Sequence, residues 1–182
     1  MTTQRLLLIS TWFQIVWFLA VVGREPWQLL TVSLVALTLL ISVRSTHFKL
    51  GRFFLLLFAF GVFVDYLNLS LGLFSFKSSS FPIWLGALWA IFLWYAYYLL
   101  PLLNRYPFGL VSMLCGVAGA LSYFAGMKLG AVQFPIGVGA TLAVLFAEWV
   151  LIINVINKGY GHESDPEKRF SQRAPVVCSS HR

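Results

Sequence analysis

The chain has 182 residues, of which 59% are hydrophobic and only 10% are charged. Because a soluble domain carries about 25% charged residues, this composition excludes a water-soluble domain and predicts one membrane domain with a short tail. The basic residues behind the net charge of +7 lie at the N-terminus, in the breaks between apolar segments and in the C-terminal tail. That pattern indicates orientation in a membrane, so we predict no nucleic-acid partner.

Six apolar stretches follow one another along the chain, separated by short breaks that contain Pro, Gly or basic residues. A helix that crosses about 30 Å of hydrocarbon needs roughly 17–25 residues. We predict transmembrane helices over residues 6–22, 27–43, 53–74, 83–103, 108–127 and 134–156. The predicted fold class is all-α, a polytopic bundle of six transmembrane helices that forms one domain over residues 1–157.

The Lys and Arg residues are distributed unevenly between the two sides of such a bundle. With six spans both termini lie on one side, and ten of the 13 Lys and Arg residues fall on that side. Because cytoplasmic loops carry the excess of Lys and Arg, we predict that both termini are cytoplasmic. Residues 158–182 have mixed charges and few apolar side chains, which predicts a disordered cytoplasmic tail.

Polar residues inside the predicted spans are few, and they supply the candidate site. Asp65 and Glu148 are the only two of the six acidic residues that lie within spans. A carboxylate at mid-membrane depth costs roughly 2.5–3.5 kcal/mol on insertion scales, so it needs a partner, a cavity or a proton. At 1.5 Å per residue, Gln14, Asp65 and Glu148 lie within about one helical turn of the same depth, and Asn68 shares a helix face with Asp65.

Two interpretations of these groups remain open. In the first, they form a ligand or proton site in which neighbouring carboxyls share a proton; its candidate residues are Gln14, Asp65, Asn68, Tyr123 and Glu148. In the second, each acid is protonated or hydrogen-bonded to Trp, Tyr or a backbone carbonyl, and fastens helices together. An uncharged amide such as that of Gln14 often has only this second role.

The fifth span is rich in small residues. Ser112, Gly116 and Ala120 recur at four-residue spacing, a pattern that lets two helix backbones approach closely. This face predicts helix contacts within one chain or between the chains of an oligomer. Tyr123 is the exception, because it places a hydroxyl among small neighbours, where it could reach a partner.

Aromatic side chains are abundant, with seven Trp, seven Tyr and 17 Phe. Those near span ends, including Trp84, are typical of interfacial belts. Deeper ones such as Trp17, Trp89, Tyr95 and Trp149 could line an apolar pocket, but core packing and lipid contact explain them more simply. All three His residues lie in a loop or the tail, and no metal, phosphate-loop or nucleophile motif occurs. We predict no metal, no cofactor and no catalytic residue.

The chain resembles a family of bacterial membrane proteins, domain of unknown function 2878 (DUF2878). The residues that carry the resemblance are Phe13-Gln14-Ile-Val-Trp17-Phe, Asp65, the segment 82–89, the small-residue block 116–131 and the pair Glu148-Trp149. The resemblance covers residues 8–156. It implies a multi-pass protein of the bacterial inner membrane and brings no established activity.

The leading functional prediction is an inner-membrane protein that binds or moves a small or lipid-like ligand, with proton exchange at Asp65 and Glu148. The first alternative is an accessory membrane protein whose polar residues only hold helices together. The second alternative is a lipid-modifying intramembrane enzyme that uses one acid as a general acid–base. It ranks last because no nucleophile or cofactor motif accompanies the acids.

Overall fold

A computed structural model describes residues 3–45, 48, 51–77 and 81–163. These residues form six helices: α1 (Thr3–Gly23), α2 (Gln28–Ser45), α3 (Arg52–Ser70), α4 (Ile83–Leu103), α5 (Phe108–Lys128) and α6 (Val138–Glu163). The fold is all-α. Five of these helices are long and apolar enough to cross a membrane, while the apolar stretch of α2, Gln28–Arg44, is shorter.

The third helix ends four residues earlier than predicted, at Ser70 instead of residue 74. Gly72 has a φ of +71°, a left-handed conformation that glycine adopts without steric cost. The backbone N–H of Leu73 then donates to the carbonyl of Asn68 at 2.9 Å. This is the Schellman arrangement that commonly closes a helix, and it turns residues 71–77 into a loop.

The sixth helix is displaced from its predicted range at both ends. It begins at Val138 and not at residue 134, because Gly137 has a φ of +96° and residues 134–137 form a turn. It continues to Glu163, seven residues beyond the predicted end of the sixth span at residue 156. The rest of the predicted tail, residues 164–182, lies outside the described residues.

Two loops pair at one end of the bundle. α5 closes like α3, with Gly130 at a φ of +72° and the N–H of Ala131 bonded to the carbonyl of Gly126 at 2.9 Å. Ser75 and Gln133 then exchange two backbone hydrogen bonds of 2.9 Å. We call residues 71–77 and 129–137 the paired-loop end, because these two loops, which follow α3 and α5, pair with each other through Ser75 and Gln133.

The helices pack as two groups. α1, α2 and α4 contact one another, α5 packs on α6, and α3 contacts both α4 and α6. The α5–α6 contact is the most extensive of these. Between α1 and α4 on one side and α5 and α6 on the other lies a seam, which long aromatic side chains bridge. The candidate site lies along this seam.

Candidate functional site

Asp65 lies on α3 with only 1% of its surface exposed. Its Oδ2 atom accepts a hydrogen bond from Trp89 Nε1 on α4 at 2.6 Å. Its Oδ1 atom accepts one from the Tyr123 hydroxyl on α5, also at 2.6 Å. Both oxygens of the buried carboxyl group are therefore bonded, as buried polar groups require, and one side chain joins three helices.

Glu148 lies on α6 and is half-buried. Its Oε2 atom accepts a hydrogen bond of 2.7 Å from the Asn68 side-chain amide. Asn68 is 3% exposed and stands about one turn from Asp65 on the same face of α3. The structure thus brings Asp65, Asn68, Tyr123 and Glu148 together, but it gives the two acids separate hydrogen-bond partners.

Gln14, the remaining candidate, does not join this group. Its side chain is exposed on α1 and lines a groove between α1 and α5. The depth estimate from the sequence is therefore insufficient for Gln14, because depth does not fix which way a residue faces around its helix.

Two stacked indole rings cross the seam beside Asp65. The rings of Trp89 and Trp149 are nearly parallel, at 4°, with centroids 5.5 Å apart. Two glycines make room for them: a Cβ atom on Gly61 would overlap the Trp89 ring, and one on Gly119 would overlap the Trp149 ring. Close backbone approach therefore fixes the position of each indole, and the hydrogen bond to Asp65 additionally fixes that of Trp89.

A cavity of about 80 Å³ opens next to this stack. Its walls include Trp17, Trp84, Trp89, Ser122, Tyr123 and Trp149, and we call it the aromatic cavity. A single water needs about 10–15 Å³ of such space, so the cavity is large enough for part of a ligand. Both donors to Asp65 are among its walls, whereas Asp65 itself lies behind them.

A larger groove of about 540 Å³ runs between α1 and α5. We call it the lateral groove; Gln14, Phe18, Tyr95, Cys115 and Leu121 are among its lining residues. Trp17 and Ser122 line both the groove and the aromatic cavity. A hydrogen bond of 3.0 Å from Trp17 Nε1 to Ser122 Oγ therefore stands where the two spaces meet.

A third space lies beside the paired-loop end. It has a volume of about 360 Å³ and is lined by Arg24, Glu25 and Lys77; we call it the basic pocket. It shares Phe76 and Trp84 with the aromatic cavity. The three spaces are thus neighbours in one series along the seam.

Sequence reasoning does not decide the role of most of these walls. Trp84 was assigned to an interfacial belt, yet it is 4% exposed and lines two of the spaces. For Trp17, Trp89, Tyr95 and Trp149 the sequence favours core packing and lipid contact and leaves an apolar pocket as the alternative. In the structure they line the cavity or the groove. No sequence signal separates these roles, because an aromatic residue in an apolar span fits all of them.

Apolar helices of membrane-spanning length around a buried, fully bonded carboxyl group define a multi-pass membrane protein. The family described as Protein of unknown function (DUF2878) matches residues 6–155, and the chain belongs to that family. The resemblance seen in the sequence is therefore confirmed. No curated protein and no solved structure matches the chain.

Proposed function

We propose that this protein binds a small or lipid-like, largely apolar ligand in the aromatic cavity, which the ligand enters through the lateral groove. The observation that carries the proposal is that both hydrogen-bond donors to the buried Asp65, Trp89 and Tyr123, are walls of the cavity. A carboxyl group at mid-membrane depth is costly to keep. The hydrogen bonds of the Asp65 carboxyl group hold two of the cavity walls, Trp89 and Tyr123, in place.

The chemistry of the walls favours an apolar ligand. Small-molecule sites are concave and mostly apolar, with a few polar groups that orient the ligand. Here the aromatic rings supply the apolar surface, and the Ser122 and Tyr123 hydroxyls supply polar groups. The lateral groove gives such a ligand a path from the hydrocarbon region between α1 and α5.

In this proposal Asp65 is a positioning residue that acts through Trp89 and Tyr123. It does not line the cavity, and both of its oxygens are engaged. Glu148 holds α6 to α3 through Asn68. Exchange of protons between Asp65 and Glu148 stays a prediction.

The proposal includes a location and an orientation. We place the protein in the bacterial inner membrane with six spans, α2 being the shortest, and with both termini in the cytoplasm. The helices alternate in direction, so the paired-loop end then faces the periplasm. The distribution of Lys and Arg supports this orientation.

A second candidate function is that of an accessory membrane protein. The observation in its favour is that each acid is bonded to neighbouring helices, so that the same contacts hold α3 to α4, α5 and α6. In that case the aromatic cavity is a packing defect, and filling it changes stability but no binding.

Quenching of tryptophan fluorescence tests the proposal, since four Trp residues line the aromatic cavity. The probe is dibromooctadecanol, whose bromine atoms quench indoles at close range, titrated into the protein in detergent micelles. We expect saturable quenching of the unmodified protein. Gly126→Leu should abolish the saturable part, because Gly126 lines the cavity and a Cβ atom there makes only ordinary contact, 3.6 Å from Val132.

Gly109→Leu is the matched control. Gly109 lies on the same helix, and a Cβ atom there meets nothing within 4 Å. This variant should bind the probe as the unmodified protein does. Equal saturable quenching in Gly126→Leu and Gly109→Leu would reject the cavity as a binding site and leave the accessory function.

A further inference from the structure

We infer that the basic pocket binds the anionic head group of an amphiphile whose apolar chain occupies the aromatic cavity. The inference rests on the proposed function and names the class of ligand. The bound molecule is then a lipid-like anion with a phosphate, sulfate or carboxylate head.

Arg24 is the first ground for this inference. It follows the last residue of α1 and has a φ of +48°, a conformation that residues other than glycine seldom adopt. Its Nη2 atom donates to the carbonyl of Leu129 at 2.9 Å, which directs the guanidinium across to the end of α5. Its Nε atom is buried and has no hydrogen-bond partner among the described residues. A guanidinium has five N–H donors, so donors remain for an anion, and their planar fork suits an oxyanion.

The balance of charge in the basic pocket is the second ground. Arg24 and Lys77 contribute two positive charges and Glu25 contributes one negative charge. In the part of the chain that the structure describes, no ion pair ties Glu25 to either cation. An excess of positive charge at the end of a membrane bundle attracts anionic head groups.

The shared wall between the two spaces is the third ground. Phe76, Trp84 and Ala131 line both the basic pocket and the aromatic cavity. The Phe76 and Trp84 rings meet edge to face, with centroids 5.7 Å apart. A free inorganic anion would use only the basic pocket. An amphiphile uses the charged space and the aromatic space at once, and so it accounts for their common wall.

Two probes that differ only in the head group test the inference. Dibromooctadecyl sulfate is permanently anionic, and dibromooctadecanol is its neutral counterpart. We expect the unmodified protein to bind the sulfate about fivefold more tightly, since a net excess of one positive charge near a membrane surface contributes about 1 kcal/mol and 1.4 kcal/mol is a factor of ten. Arg24→Asn and Lys77→Gln should each reduce this preference, and the double variant should abolish it, while the affinity for the alcohol stays unchanged.

The variants are chosen to leave the fold intact. Asn tolerates the left-handed conformation at position 24, and Lys77 is exposed. Lys128→Gln is the matched control, because Lys128 lies near the same end of the bundle, with its Nζ atom 5.4 Å from the centre of the Phe124 ring, and is not part of the basic pocket. It should keep the full preference for the sulfate.

The outcomes separate the two proposals. If the unmodified protein binds both probes equally and Gly126→Leu blocks both, the inference is overturned and the proposed function stands. If Gly126→Leu blocks neither probe, the proposed function itself fails. If Lys128→Gln lowers the preference as much as Lys77→Gln does, the effect is general surface charge, and the inference is also overturned.

Discussion

Helix α5 packs very differently against two of its neighbours, α6 and α1. Towards α6 it presents Gly116 and Gly119, which lie directly against Phe146, Trp149 and Val150 of that helix. Towards α1 it presents the wall of the lateral groove and the aromatic cavity. The backbone of α5 packs directly against α6, whereas only side chains span the gap between α5 and α1.

The difference shows how residue size divides a membrane bundle into scaffold and site. Glycines let two helices approach until no space is left, which is the usual basis of helix association in lipid. Across the seam the helices stand further apart, and large aromatic rings reach over the gap. Rings that bridge a gap leave irregular spaces between them, and the aromatic cavity is such a space. Association of chains through α5 stays a prediction, since Gly116 and Gly119 contact α6 of the same chain.

The largest expected loss of stability comes from a substitution that overpacks the contact between α5 and α6. Gly119→Ala places a Cβ atom in steric overlap with the Trp149 ring, and a rigid indole cannot move aside cheaply. Overpacking of this kind typically costs about 1–3 kcal/mol and occasionally more. Thermal unfolding in detergent should show a lower transition temperature for Gly119→Ala.

Gly109→Ala adds the same methyl group to α5 in open space and should be neutral or stabilising, by up to about 1 kcal/mol. Equal transition temperatures for the two variants would contradict the close approach of α5 and α6.

The next effect concerns the hydrogen bonds that hold the seam. Asp65→Asn replaces one accepting oxygen by an NH₂ group, so the N–H of Trp89 or the O–H of Tyr123 loses its acceptor, although the Tyr123 oxygen can accept from the new NH₂ group. Leaving one buried polar group without a partner costs about 1–3 kcal/mol. Glu148→Gln is the comparison, since Gln keeps one oxygen that can accept the single bond from Asn68. We expect a clear loss of stability for Asp65→Asn and a smaller one for Glu148→Gln, measured by denaturation in detergent. The reverse order would show that Glu148 and not Asp65 is the main polar anchor.

The scaffold was largely predictable from the sequence, because length and hydropathy decide which segments can cross a membrane. The helix ends were less so. The prediction carried α3 through Leu71-Gly72-Leu73 because these residues are apolar, although Gly72 closes the helix. An apolar run predicts which part of the chain can lie in hydrocarbon, whereas the end of α3 is determined by the left-handed conformation of Gly72.

The site was predictable in part. The cost of a buried carboxyl group singled out Asp65 and Glu148, and equal depth suggested that they lie near one another. The contact of Asn68 with Glu148 depends on α3 packing against α6, which no residue pattern in either helix encodes. The basic pocket was missed altogether. Arg24 and Lys77 lie in different loops, and in the sequence each served only as a marker of orientation.

The smallest effect on stability, and the most informative one for function, is expected at the junction of groove and cavity. Ser122→Ala removes the acceptor of the Trp17 indole, which should cost about 0.5–1.5 kcal/mol. Because this bond stands where the lateral groove meets the aromatic cavity, its loss should also speed the quenching of tryptophan fluorescence by dibromooctadecanol in stopped-flow mixing.

Ser42→Ala is the matched control: it removes the acceptor of the Trp94 indole, 2.7 Å away between α2 and α4, at a site that lines neither space. Both variants should lose some stability, but only Ser122→Ala should change the rate. If both change the rate alike, the groove is not the path to the cavity, and the seam is simply the looser of the two faces of α5.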